Sequence, residues 1–198
     1  MLKLSEAIDK FSKGELLILD MRPFEAYMNG HIPNSILAPY VEQRWGYEIS
    51  NFMDSNRGEF ILLYESEEEK NKALDELKQF RKNMDAFQYK EFLESSKAKE
   101  AYATNLTPEE YEQRAEEFQI IDVREPQEWA MGTIEGAELI SLNDLFTEHE
   151  RLDKNKKYAI ICEHGNRSLY GAIFLADKGF EVANIAEGLD GLRRKGIV

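Results

Sequence analysis

The feature that most constrains this chain is that it repeats itself. Residues 20–37 read DMRPFEAYMNGHIPNSIL, and residues 122–139 read DVREPQEWAMGTIEGAEL. A shift of 102 lays Asp20 on Asp122, Arg22 on Arg124, Gly30 on Gly132, Ile32 on Ile134 and Leu37 on Leu139. The same shift lays Ser5 on Thr107, each behind a leucine. Each copy then continues into an apolar run, FILLYE at 60–65 and YAIICE at 158–163, where the shift has fallen to 98 and Tyr64 meets Cys162. Self-similarity of this kind marks a structural unit used twice. The chain is therefore expected to form two domains, 1–98 and 104–198, each of ordinary domain size. The boundary is expected in the polar, small-residue stretch ESSKAKEAYATN at 94–105. A new helix start follows it, with Thr107 as N-cap, Pro108 at the first helical position and acids in the first turn.

Within each copy, strand and helix patterns alternate. The second copy reads as a helix at 107–116, a strand at 118–123, a short strand at 137–140, a helix at 142–150 and a strand at 157–162. A helix at 167–178 ended by Gly179, a strand at 181–185 and a helix at 189–194 complete it. The first copy reads as helix 4–12, strands 16–20, 35–38 and 59–64, helix 67–81, strand 84–88 and helix 89–97. Alternation of this kind predicts an α/β fold, in each copy a small parallel sheet flanked by helices on both faces.

The chemistry concentrates in one loop. Cys162 is the only cysteine in the chain, and it stands where an apolar strand gives way to a helix, in the sequence CEHGNRS. In parallel α/β domains ligands bind beyond the carboxyl ends of the strands. Loop amides ahead of a helix form a nest for an anion, and Gly165 permits the backbone angles such a loop needs. That field favours thiolate over thiol, and the thiolate is the nucleophile. Arg167 adds a fixed charge and a fork of donors suited to an oxyanion. His164 is either a donor or a spacer, Asn166 shapes the loop, and Glu163, which opposes a positive field, is expected to turn to solvent. A buried structural cysteine is the plainer alternative, since free cysteine is often buried. The first copy has Tyr64 at the thiol position, followed by Glu65, Glu67, Glu68 and Glu69, with no glycine. It offers no nucleophile and would repel an anion.

Composition narrows the class. One cysteine excludes an internal disulfide and fits a reducing compartment. A formal net charge of −13 argues against general nucleic-acid binding. No apolar run reaches the roughly 20 residues of a membrane span, and the first residues lack an apolar signal core. A cytoplasmic protein that binds neither nucleic acid nor membrane is expected.

These residues together resemble the rhodanese-like sulfurtransferase family, over essentially the whole chain and twice. DVREPQEWAMGTIEGA resembles its first signature, CEHGNRS its active-site loop, and NIAEGLDGLRRKGI its closing signature. Three departures stand out: Thr133 where a histidine is usual (the first copy keeps His31), and Ala186-Glu187-Gly188 and Leu192 where a Gly-Gly pair and a tryptophan are usual. The resemblance implies an active second domain and a first domain that has lost its catalytic cysteine. It implies that Cys162 accepts a sulfane sulfur from thiosulfate, polysulfide or a persulfide, and passes it to cyanide, a thiol or a sulfur-relay protein. It implies that Glu163, His164, Gly165, Asn166 and Arg167 cradle the donor, with no cofactor and no metal. Arg124 then either lines the pocket or pairs with Asp122. Two other functions stay open: a persulfide sensor or adaptor without catalysis, and a phosphatase or arsenate reductase. Against the latter, four residues separate Cys162 from Arg167 where the phosphatase pattern has five.

Overall fold

Short apolar runs bounded by Gly, Asp and Ser give strands, and each strand here ends where the chain turns polar. The computed structural model describes residues 2–198. The first copy runs α1 (Leu4–Ser12), β1 (Leu16–Asp20), α2 (Phe24–Met28), β2 (Ile36–Leu37), α3 (Trp45–Ser55), β3 (Glu59–Tyr64), α4 (Glu67–Gln79), β4 (Asp85–Gln88) and α5 (Tyr89–Ser96). The second runs β5 (Ala103–Leu106), α6 (Pro108–Arg114), β6 (Phe118–Asp122), α7 (Pro126–Trp129), β7 (Glu138–Leu139), α8 (Leu142–Glu148), β8 (Lys157–Ile161), α9 (Asn166–Asp177), β9 (Glu181–Ile185) and α10 (Gly188–Arg194). The chain divides into two units, one formed mainly by residues up to Glu100 and the other mainly by residues from Ala101.

Each unit holds one all-parallel sheet, with strand order β2-β1-β3-β4 in the first and β5-β9-β8-β6-β7 in the second. The two-residue period of a strand sends neighbouring side chains to opposite faces. In the first unit Leu19 and Leu62 accordingly join Trp45, Ala73 and Leu77 of α3 and α4 on one face. Ile18, Ile61 and Leu63 join Ala7, Tyr89 and Phe92 of α1 and α5 on the other. In the second unit Ile120, Ala159, Ile161, Ala183 and Ile185 join Tyr111, Leu189 and Leu192 of α6 and α10. Each such buried Leu or Ile side chain contributes about 1.5–3 kcal/mol.

Register makes the repeat structural. Asp20 pairs with Leu63 across β1 and β3, and Asp122 pairs with Ile161 across β6 and β8. Past each pair the chain continues alike, Met21 N–H donating to Leu63 O at 3.0 Å and Val123 N–H to Ile161 O at 2.9 Å. The next residues, Tyr64 and Cys162, therefore occupy equivalent places.

Within the boundary stretch the structure holds a strand that the pattern reading does not expect. The supposed linker reaches only from 97 to 102, because α5 runs to Ser96 and Ala103–Leu106 forms an edge strand on β9. Only its end residues, Ala103 and Leu106, are buried, so a strand needing so little apolar surface reads as loop. Helix α3 also escapes the pattern reading, for no side chain caps its start. Instead Glu76 of α4 accepts hydrogen bonds from Gln43 N, just ahead of the helix, and from Gly46 N in its first turn, both at 2.9 Å, so a tertiary contact holds the helix start. Among the described residues no helix is long and apolar enough to cross a membrane.

Candidate active site

Cys162 directly follows β8, and α9 begins at Asn166. Its Sγ accepts hydrogen bonds from Ser168 N and Ser168 Oγ, both at 3.4 Å. The first is an amide of the first turn of α9, one of the donors that a helix leaves unpaired at its start. Both residues are buried, Cys162 to 1% exposure. Sulfur at a strand end thus faces two donors and the positive end of a twelve-residue helix. Ser168 closes the CEHGNRS stretch but is not among the residues the sequence reading singled out. Its signal was position alone, one turn into the helix behind the thiol.

Gly165 turns the chain into α9 with φ 85° and ψ −12°. A Cβ at this residue would lie 1.9 Å from Ala186 O and 2.6 Å from its carbonyl carbon. Gly188, at φ 60°, makes the reciprocal approach: a Cβ there would lie 2.4 Å from Cys162 O. Two glycines thus let the loop lie directly on the turn between β9 and α10. The start of α10 then anchors it, with Leu189 N–H donating to Cys162 O at 2.8 Å and Asp190 N–H to Glu163 O at 3.0 Å. Gly188 survives from the departing closing signature, and its backbone role explains why that departure leaves the loop intact.

The charged residues do not stand as expected. Arg167 does not reach out unpartnered: Nη1 and Nη2 donate to the two carboxylate oxygens of Glu128 in α7, at 2.6 and 2.7 Å. The bond to Arg167 holds the Glu128 carboxyl at about 2 against an ordinary 4.5. Arg167 is correspondingly held above its usual range, first by Glu128 and in smaller part by the nearby Cys162 sulfur. Glu128 also accepts from Glu125 N at 3.0 Å, closing a capping box on α7. Sequence reading missed it, because Glu128 lies 39 residues from Arg167 and only the fold joins them.

Glu163 is not turned to solvent. Its carboxylate receives Arg124 Nη1 and Arg193 Nη1, each at 2.9 Å. Arg124 pairs with Asp122, one of the two readings left open for it. It is 1% exposed. Its Nε and Nη2 grip the Asp122 carboxylate at 2.8–3.1 Å, and Nη2 also donates to Gly132 O at 2.7 Å. Thr133, standing in for the usual histidine, donates to Asp122 Oδ2 at 2.7 Å. The same device recurs in the first unit. Arg22 grips Asp20 at 2.8–3.2 Å, and Glu65 lies 3.7 Å from Arg22 Nη1. Since Glu65 aligns with Glu163 at the shift of 98, the same Asp–Arg–Glu arrangement stands in both copies, including the one without the cysteine. Burial favours such an arrangement, because a buried charge requires partners. His164 and Asn166 are exposed at the loop's surface.

The equivalent place in the first unit has different content. Tyr64 Oη donates to Glu67 Oε1 at 2.6 Å, and burial together with that bond pushes its hydroxyl up to about 12. Ser66 caps α4, accepting from Glu69 N at 3.3 Å. Two residues lie between Tyr64 and the start of α4, against three between Cys162 and α9, so this loop is one residue shorter. Among the described residues no group of three or more His, Cys, Asp or Glu is arranged to hold a metal ion.

A family model, the rhodanese-like domain, matches residues 3–97 and again 107–195. A Bacillus subtilis protein named "Putative sulfurtransferase YtwF" is 40% identical over 74 residues, which is 37% of this chain and 72% of that protein. The thiosulfate sulfurtransferase GlpE of Pseudomonas paraeruginosa is 30% identical over 76 residues, 38% of this chain and 69% of that protein. The crystal structure of a rhodanese-related protein from Thermoplasma volcanium is 29% identical, covering 47% of this chain and 93% of that one, with a TM-score of 0.46.

Proposed function

This chain belongs to the rhodanese-like domain family, and from that premise we propose that it is a sulfurtransferase which carries sulfane sulfur as a persulfide on Cys162. The observation that carries the reading is the setting of that sulfur, at the end of a central strand with two Ser168 donors and a helix N-terminus directed at it. The thiolate attacks the outer sulfur of a persulfide R–S–SH. A new S–S bond forms on Sγ, the old one breaks, and the pair of electrons leaves on R–S⁻, giving Cys–S–SH. From thiosulfate the leaving group is sulfite and the product is Cys–S–S⁻. A thiol or cyanide acceptor reverses the pattern by attacking the outer sulfur and releasing the Cys162 thiolate. The chain has one cysteine, so no second thiol within it can resolve the persulfide, and the acceptor comes from outside. A small thiol and a sulfur-relay protein both meet that requirement.

In this reading the first unit carries no sulfur. It has a tyrosine at the equivalent place, and its own acids occupy the start of α4.

The experiment is intact mass after exposure to polysulfide or thiosulfate. The expected result is the gain of one sulfur atom, removed by cyanide or a reducing thiol and absent from Cys162→Ser. A wild-type chain that gains nothing from any donor refutes the reading.

A further inference from the structure

The loop lies among six charged groups, and they cancel. Asp122 and Glu163 take up Arg124, Glu163 also takes Arg193, and Glu128 takes Arg167. Three carboxylates thus face three guanidinium groups, so none of these described pairs leaves a cation in surplus. The pair that matters is Arg167–Glu128. Arg124 is buried beneath its partners, and Arg193 bonds the Glu163 carboxylate rather than the loop's interior. Arg167 and Arg193 are both part-exposed, at 38% and 43%, but of the two only Arg167, in the first turn of α9 beside Ser168, is within electrostatic reach of Cys162.

Donors differ in what they ask of such a site. Thiosulfate brings a dianion whose sulfonate oxygens must be bound while sulfite departs. An organic persulfide brings a short R–S–S chain and needs no cation at that place. Both ends of the guanidinium fork are taken by Glu128, at 2.6 and 2.7 Å. A dianion approaching Arg167 must displace that carboxylate or lie beside it, and the chain's net charge of −13 adds to the repulsion.

We infer that Glu128 is a specificity-determining residue, which by holding Arg167 in a bidentate ion pair sets the site for organic persulfides over thiosulfate. The inference rests on the sulfurtransferase reading and deepens it. Glu128 acts through Arg167 and touches no reacting atom, so it is a positioning residue. Its carboxyl is held near 2, so the pair stays formed through the whole neutral range.

The test compares kcat/KM for thiosulfate and for cysteine persulfide in the wild type, Glu128→Gln and Glu128→Asp. Glutamine keeps the capping-box hydrogen bond of α7, so the helix start is retained while the charge is lost. The thiosulfate-to-persulfide ratio is expected to rise on the order of tenfold in Glu128→Gln, the scale of a charge-assisted bond made available. The gain should lie mainly in KM for thiosulfate and fade at high salt, as freed charge requires. Glu128→Asp, which keeps the carboxylate, should stay near the wild-type ratio. A merely structural role would lower both donors together and leave the ratio and its salt dependence unmoved. An unchanged or lower ratio in Glu128→Gln overturns the inference while the sulfurtransferase reading stands. Failure of the wild type to load sulfur from either donor overturns both.

Discussion

Replacing Gly165 by alanine tests whether the contact between the loop and the β9–α10 turn holds the site. The residue sits at φ 85°, where an L side chain costs about 1–2 kcal/mol. The added Cβ would meet Ala186 O at 1.9 Å, whereas carbon and oxygen settle at about 3.3 Å or more, so the loop or the turn must give by about 1.4 Å. Neither neighbour is a flexible side chain; both are backbone. A shift of that size breaks the bonds from Leu189 N to Cys162 O and from Asp190 N to Glu163 O, each worth about 1 kcal/mol. Loss of glycine's freedom in the unfolded chain returns about 0.4–1 kcal/mol. The net expectation is a loss of about 3 kcal/mol. Gly179→Ala is the control, because that glycine has φ 81° but nothing within 4 Å of its added Cβ. It should lose only the conformational cost, about 1 kcal/mol. Urea unfolding measures the difference, which at a slope of about 2 kcal/mol per molar is a midpoint lower by about 1 M in Gly165→Ala than in Gly179→Ala. Sulfur loading should fall in the first variant and persist in the second. Equal midpoints for the two variants would refute the argument that close approach, rather than backbone angle alone, reserves position 165 for glycine.

Ser168→Ala removes one of the two donors on Cys162 Sγ and should slow sulfur uptake by roughly fivefold to tenfold, the kinetic equivalent of about 1 kcal/mol; an unchanged single-turnover rate would show the hydroxyl to be idle. The Glu128 carboxyl is depressed from 4.5 to about 2 in the folded chain, so its ion pair contributes stability fully above 4.5 and loses it as pH falls toward 2. Urea midpoints against pH should show that acid loss in the wild type, and a smaller one in Glu128→Gln. In the double variant Tyr64→Cys, Cys162→Ser, intact mass should show no added sulfur, because the shorter acidic loop gives the new thiol neither a cradle nor a positive field; a persulfide there would contradict the account of the first copy.

Much was legible in the residues themselves. The match of Asp20 and Arg22 with Asp122 and Arg124 announced two copies of one unit, and the continuous apolar runs FILLYE and YAIICE, set among alternating strand and helix patterns, announced parallel strands covered on both faces. Those signals are local, since period and spacing act over a few residues and need no partner to be read. The place of Cys162 at a strand end, ahead of a helix and beside Gly165, was local in the same way. What lay beyond reach was every pairing across distance. Arg167 read as a free fork because Glu128 is 39 residues away in sequence. Glu163 read as a stray charge because Arg124 and Arg193 come to it from the loop after β6 and from α10. The edge strand Ala103–Leu106 read as linker because β9, which supplies its hydrogen bonds, lies some 80 residues on. A charge has no fixed meaning until its neighbours are known, since solvent and an opposite charge satisfy it equally well on paper. Only the folded chain decides between them, because burial removes the water and leaves the partner.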